Sequence, residues 1–116
     1  MASPGHEPLL SVYENDPDVG EIVALFVSEM PRRRADIVRA AEAGDAAEAA
    51  RFAHQLKGAA GGYGFETLGQ IAAAAEHALN DLQPSKSDDA SAVYAAAAPL
   101  IDACDRVRLA NPGAAA

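Results

Sequence analysis

Apolar residues recur along most of this chain at helical spacing, and the places where the recurrence breaks divide it into segments. Val19, Ile22, Val23, Phe26, Val27 and Met30 form the first stripe. Ahead of it, Asp16-Pro17 reads as an N-cap followed by proline at the first helical position, where a missing N–H costs nothing. Leu9, Leu10, Val12 and Tyr13 precede that start and are expected to form a lead-in capping one end of the fold. Pro31 is expected to break the first helix and open a second, whose apolar positions (Ile37, Val38, Ala41) lie among Arg32, Arg33, Arg34 and Arg39. Gly44 predicts a left-handed cap, and Asp45 with Glu48 three residues on reads as a capping box with Asp in place of Ser. The third helix then runs from about Ala46 to about Gly61, with Gly61-Gly62 favouring an early end and Gly64 a turn. A fourth spans about 65 to 82, with Leu68, Ile71, Ala72, Ala75, Leu79 and Leu82 facing inward. Residues 83–87 are expected to form a loop, with Pro84 stopping continuation of that helix. The last helix starts near Asp88 or Asp89 on a stripe of Val93, Ala97, Leu100, Ile101, Cys104 and Val107, with a kink expected at Pro99.

Long amphipathic segments joined by short connections predict an all-α fold, an antiparallel four-helix bundle with an additional N-terminal helical segment lying across or beside it. Residues 1–8 read as a disordered leader, 9–111 as the domain and 112–116 as a flexible tail. Composition agrees: alanine dominates, only 5% of residues are aromatic and none is Trp. A length of 116 residues allows one core. The net charge of −8 argues against nucleic acid, which is bound by neutralising phosphates. No apolar run reaches membrane-spanning length, residues 1–6 do not read as a secretory signal so none is expected, and the one cysteine, Cys104, excludes an internal disulfide. A cytoplasmic monomer is the expectation. Cys104 lies on an apolar stripe and reads as a small core residue.

The candidate chemistry lies on the third helix. Phe52, Ala53, Leu56 and Ala60 mark its buried face, and Ala50, Arg51, His54, Lys57, Gly58 and Gly61 fall opposite. Those residues make a cationic, sterically open strip around one imidazole. Gly58 costs about 1 kcal/mol against alanine at mid-helix, so it needs a reason, either close packing on a neighbouring helix or room for an incoming group. Arg51 lies three residues after Glu48 and is suited to an ion pair with it. The Arg32-Arg33-Arg34 run reads as a solvated face, with a docking rim as the alternative. The glycines do not make a P-loop, because no strand precedes them and the order of Lys and Gly is wrong. Helical di-metal sites need Glu-x-x-His pairs, and none occurs, so no metal is expected. His77 falls at the edge of its helix's stripe and reads as structural, and His6 lies in the leader.

The run His54, Leu56, Lys57, Gly58, Ala59, Ala60 and Gly64 closely resembles the active-site helix of histidine-containing phosphotransfer (HPt) domains. Gly44-Asp45, Leu68, Ala75-Glu76, Ala78 and the stretch from Ser11 to Pro31 are also similar to that family, so the resemblance covers roughly residues 10 to 82. It departs at Ala59 and Ala60, where serine is frequent. The resemblance implies that His54 Nε2 takes a phosphoryl group from the aspartyl-phosphate of one receiver domain and yields it to another. It also implies that Lys57 supports the phosphoryl oxygens. Gly58, helped by Ala50 and Gly61, would clear the approach. Gln55 would orient the ring or touch a receiver, and Arg51 could add positive potential. A free imidazole titrates near pH 6.5, so it is largely neutral, and nucleophilic, at cytoplasmic pH. No cofactor is implied, Mg²⁺ being brought by the receiver. The expected partners are the receiver domains of a hybrid histidine kinase and a response regulator, with no ATP-dependent kinase activity in this chain. Two other readings stay open: a docking module that binds a receiver without accepting phosphate, and a dimeric phosphotransferase whose bundle forms between chains.

Overall fold

The computed structural model describes residues 7–82 and 90–110. Four helices dominate it: α1 (Gly20–Glu42), α2 (Ala46–Gly62), α3 (Glu66–Leu82) and α4 (Ala90–Arg106). The short connections at 43–45 and 63–65 make α1, α2 and α3 successively antiparallel. In the ring they form, α2 packs most extensively on α3, α1 and α3 both pack on α4, and the α1–α2 seam is the thinnest. All four helices of the bundle come from one chain.

The stripes fill the interior. Phe26, Ile37, Leu56, Phe65, Leu68, Leu79, Val93 and Leu100 are almost wholly buried, each worth about 1.5–3 kcal/mol of transfer free energy. Val93, Ala97, Leu100, Ile101, Cys104 and Val107 are all buried as their spacing predicts, and α4 runs on through Pro99. On α3 the pattern holds for Leu68, Ala72, Ala75 and Leu79, with Ile71 and Leu82 half-buried. Alanines at 49, 53, 60, 72 and 75 put little side-chain bulk between α2 and α3.

The expected break at Pro31 is absent. The two N-terminal segments merge into α1, which carries Pro31 inside it, and no separate extra helix precedes the bundle among the described residues. The physical reason is phase. Val23, Phe26, Met30, Ile37 and Ala41 keep one buried stripe across the proline, while Pro31 itself faces outward. Breaking the helix would sacrifice that shared burial to avoid a local cost of about 3 kcal/mol. The start also shifts. Asp16 caps a turn, with Oδ1 accepting from the N–H of Asp18 (2.7 Å) and of Val19 (3.2 Å), and α1 begins at Gly20. Ile22, expected inside, is largely exposed.

The caps of α2 follow the sequence more closely. Asp45 Oδ1 accepts from Glu48 N–H at 3.0 Å, but the Glu48 carboxylate turns to Arg51, so only half of the capping box forms. Gly44 (φ 71°) and Gly64 (φ 80°) are both left-handed, and in each case the next N–H reaches back five residues, Asp45 to Ala40 O and Phe65 to Ala60 O. α2 ends at Gly62, within one residue of the expected end, and this cap holds its last turn through both glycines.

The lead-in is a strap without helix. Leu9 pairs in parallel with Val107, Val12 N–H donates to Gly64 O, Ser11 Oγ donates to Tyr63 O, and Ala110 N–H donates to Glu14. It thereby ties the α2–α3 turn to the chain beyond α4. Beneath the turn Phe26 meets Tyr63 and Phe65, each pair with centroids 5.3 Å apart. Glu7, placed in the leader by the sequence, accepts from Arg106 through its carbonyl. The expectations for residues 1–6, the 83–87 loop, the start of the last helix at 88–89 and the tail at 112–116 lie outside the described residues.

A Cβ at Gly64 would stand 2.8 Å from Tyr13 Cδ2 and 2.9 Å from Ser11 Oγ, on a backbone disfavoured for L-residues. Gly64→Ala is therefore expected to destabilise the fold by about 1–3 kcal/mol, read as a lowered urea midpoint. An unchanged midpoint would show that the strap does not hold this turn.

Candidate functional site

α2 presents His54 halfway along its length, off the buried stripe, with its side chain 65% exposed. Core packing therefore does not explain the residue. The ring is nonetheless fixed: Nδ1 lies 3.0 Å from Glu76 Oε2, on the neighbouring α3. The other carboxylate oxygen, Oε1, lies 2.9 Å from Lys57 Nζ. One carboxylate thus holds two of the strip's three cation-forming side chains, His54 and Lys57. An ionised carboxylate only accepts, so Nδ1 carries the proton and Nε2 keeps its lone pair. Among the described residues nothing hydrogen-bonds Nε2.

Glu76 itself is only 20% exposed. The hydrogen bond from Lys57 holds its carboxyl below the ordinary value; partial burial opposes this and the His54 contact adds to it. A lowered carboxyl contributes stability that is present above the ordinary carboxylate range and is lost as pH falls through the lowered value. The clamp is therefore intact at neutral and mildly acidic pH.

The remaining strip residues separate into open and occupied. Gly58 and Gly61 are exposed, and a Cβ built on either meets nothing within 4 Å. Close packing on a neighbouring helix is thus not the reason for Gly58. Ala50, expected on the open face, is instead buried at 5% exposure, because the covered arc of α2 is wide enough to take it in beside Ala46, Ala49 and Ala53. Arg51 is paired with Glu48, and its guanidinium lies over Phe52 (4.7 Å), so its charge is largely committed. Gln55 does not orient the imidazole, which Glu76 does; it lines a cleft toward α1 with Arg32, Arg33 and Phe52.

Glu76 is the site residue whose role sequence reasoning missed. The available signal was its position beside Ala75 and three residues before Leu79, at the border of the α3 stripe, where a carboxylate can reach a facing helix. His77, read as structural, is exposed and lies 3.6 Å from Asp81. Burial pushes the Cys104 thiol up to about 12, aided by Asp105, which removes it as a nucleophile. Among the described residues no group of three or more His, Cys, Asp or Glu side chains is placed to hold a metal ion, and no helix is long and apolar enough to cross a membrane.

The site is thus an oriented, solvent-facing imidazole on a four-helix bundle, with a lysine one turn on and an open glycine beside it. Residues 21–110 match the Hpt domain family, and the chain belongs to it. Hpt domains carry out histidine phosphotransfer in phosphorelays, where they interact with receiver domains. Neither the curated proteins nor the solved structures contain a match to this chain.

The clamp predicts that ¹⁵N NMR of the His54 ring at neutral pH shows mainly the Nδ1–H tautomer. In Glu76→Ala the ring is expected to move toward the mixed tautomers of a free imidazole. An identical tautomer ratio in the two proteins would rule out orientation by Glu76.

Proposed function

We propose that this protein is a phosphoryl carrier in which His54 Nε2 receives a phosphoryl group from the receiver domain of a hybrid sensor kinase and delivers it to that of a response regulator. The observation that supports this best is the division of labour within one ring: Nδ1 is engaged by Glu76 and Nε2 is left with a lone pair. In the transfer, Nε2 attacks phosphorus as the bond to the receiver's aspartyl oxygen breaks, and the aspartate leaves as a carboxylate. The new N–P bond puts positive charge on the ring, next to Glu76. No proton has to leave Nδ1. Return transfer to a second aspartate reverses these steps.

Phosphoryl transfer runs through a loose transition state, so positioning and charge do most of the catalysis. Lys57 is half-exposed and one turn from His54, and in this reading it turns from Glu76 to the phosphoryl oxygens. Gly58 and Gly61 leave space for the receiver's aspartate, and Gln55 and Arg51 border its approach. Ala50 has no part, being buried. Mg²⁺ would arrive with the receiver, and the carrier would act in the cytoplasm without nucleic acid. Because a single chain supplies the four helices, a monomer suffices and a dimeric bundle is not required. The competing reading, docking without transfer, draws on Lys57 being already paired.

His54→Gln is expected to abolish labelling by a phosphorylated receiver, the label on the wild type being acid-labile and alkali-stable. A labelled His54→Gln protein would place the acceptor elsewhere. Lys57→Ala should slow transfer about ten- to a hundredfold, as expected for one charge-assisted contact made mainly in the transition state. An unchanged rate in a single-turnover assay removes Lys57 from the chemistry.

A further inference from the structure

The bundle divides the Arg32-Arg33-Arg34 run. Arg34 turns toward α4, its Nε 3.0 Å from Asp105 Oδ1. Arg32 and Arg33 fall on the other side of α1, over its seam with α2, the thinnest of the ring. There they line a cleft of about 280 Å³ with Asp36, Ile37, Phe52 and Gln55. Gln55 follows His54 on α2, so the cleft borders the face that presents the imidazole.

Charge pairing is uneven across this face. Lys57 is matched by Glu76, Arg51 by Glu48, and Arg39 by Asp36 at 2.8 Å. Arg32 and Arg33 share a single carboxylate, Glu29, at 4.0 Å and 3.7 Å, both longer than a hydrogen bond. Among the described residues the buried Arg33 Nε has no hydrogen-bond partner, and the guanidinium is steadied 5.4 Å over the Phe26 ring. Arg32 is 70% exposed. Seven residues before Arg32, on the same side of α1, Leu25 is 59% exposed. The result is an apolar-to-basic shoulder along α1, with one positive charge in excess, on a molecule of net charge −8.

A phosphorylated receiver is anionic where it must approach, and the overall charge of this protein opposes that approach. We infer that Arg32 and Arg33, with Gln55, form a docking rim that recognises acidic side chains bordering the receiver's phosphoaspartate and so helps to select the partner. The proposal deepens the phosphotransfer reading and rests on it. Such a rim acts on encounter and affinity rather than on the bond-breaking step, and it weakens with salt.

The test uses the full chain and the receiver, among those of its own genome, that phosphorylates the wild type fastest after loading with acetyl phosphate. Arg32→Glu is expected to raise KM about tenfold with kcat changed less than twofold, and to flatten the salt dependence of kcat/KM. Arg32→Lys should recover most of the loss. Arg33→Gln, which avoids a negative charge over Phe26, is expected to raise KM about threefold, with circular dichroism reporting its fold. Unchanged KM values in Arg32→Glu and Arg33→Gln, with the wild type labelled on His54, overturn the rim and leave the carrier function standing. A fall in kcat alone overturns it too. If neither phosphoramidate nor any receiver labels the wild type on His54, the carrier reading fails and the rim fails with it.

Discussion

The site depends on one carboxylate reaching from α3 to α2. Glu76 commits one oxygen to the imidazole and the other to the lysine ammonium, so a single side chain sets the tautomer and parks the cation. Such a span requires the two helices to run close together, and the alanines between them allow it. Orientation by hydrogen bonding, rather than by packing, lets the ring be both fixed and open to water. A buried histidine would be equally well positioned, but no protein-sized partner could reach it.

That openness is maintained against local preference. A glycine in the middle of α2 and a proline in the middle of α1 each weaken their helix, and neither is compensated nearby. The compensation is tertiary: the stripe from Val23 to Ala41, the Phe26–Tyr63–Phe65 cluster and the strap over Gly64 hold the frame. The strap's hydrogen bonds and the aromatic cluster converge at the α2–α3 turn. The α1–α2 seam, where the basic shoulder lies, is packed least.

Much of this was legible in the residues, because the relevant chemistry is local. Asp45 and Gly44 mark the start of α2, Gly64 its end, and the stripes of α3 and α4 follow from spacing alone. The misreadings arise where one helix decides the state of another. Pro31 obeys a local rule until the shared stripe overrules it. Ala50 is small and apolar, so nothing in the pattern says whether a neighbouring helix covers it. Ile22 has the right spacing for the core, yet the described residues leave it 44% exposed. His54, Lys57 and Gly58 stood out through their mutual spacing, whereas Glu76 lies 22 residues from His54 and meets it only in the folded bundle.

The seclusion of Cys104 has a practical corollary. Its thiol is buried on α4 and burial raises it well above the ordinary thiol range, so it offers alkylating reagents little surface and little thiolate. Maleimide labelling of the native chain at Cys104 is accordingly expected to be slow. A reporter thiol installed at Gly61, on the open face of α2, could carry a fluorophore without first removing the natural sulfur and opening a void in the core.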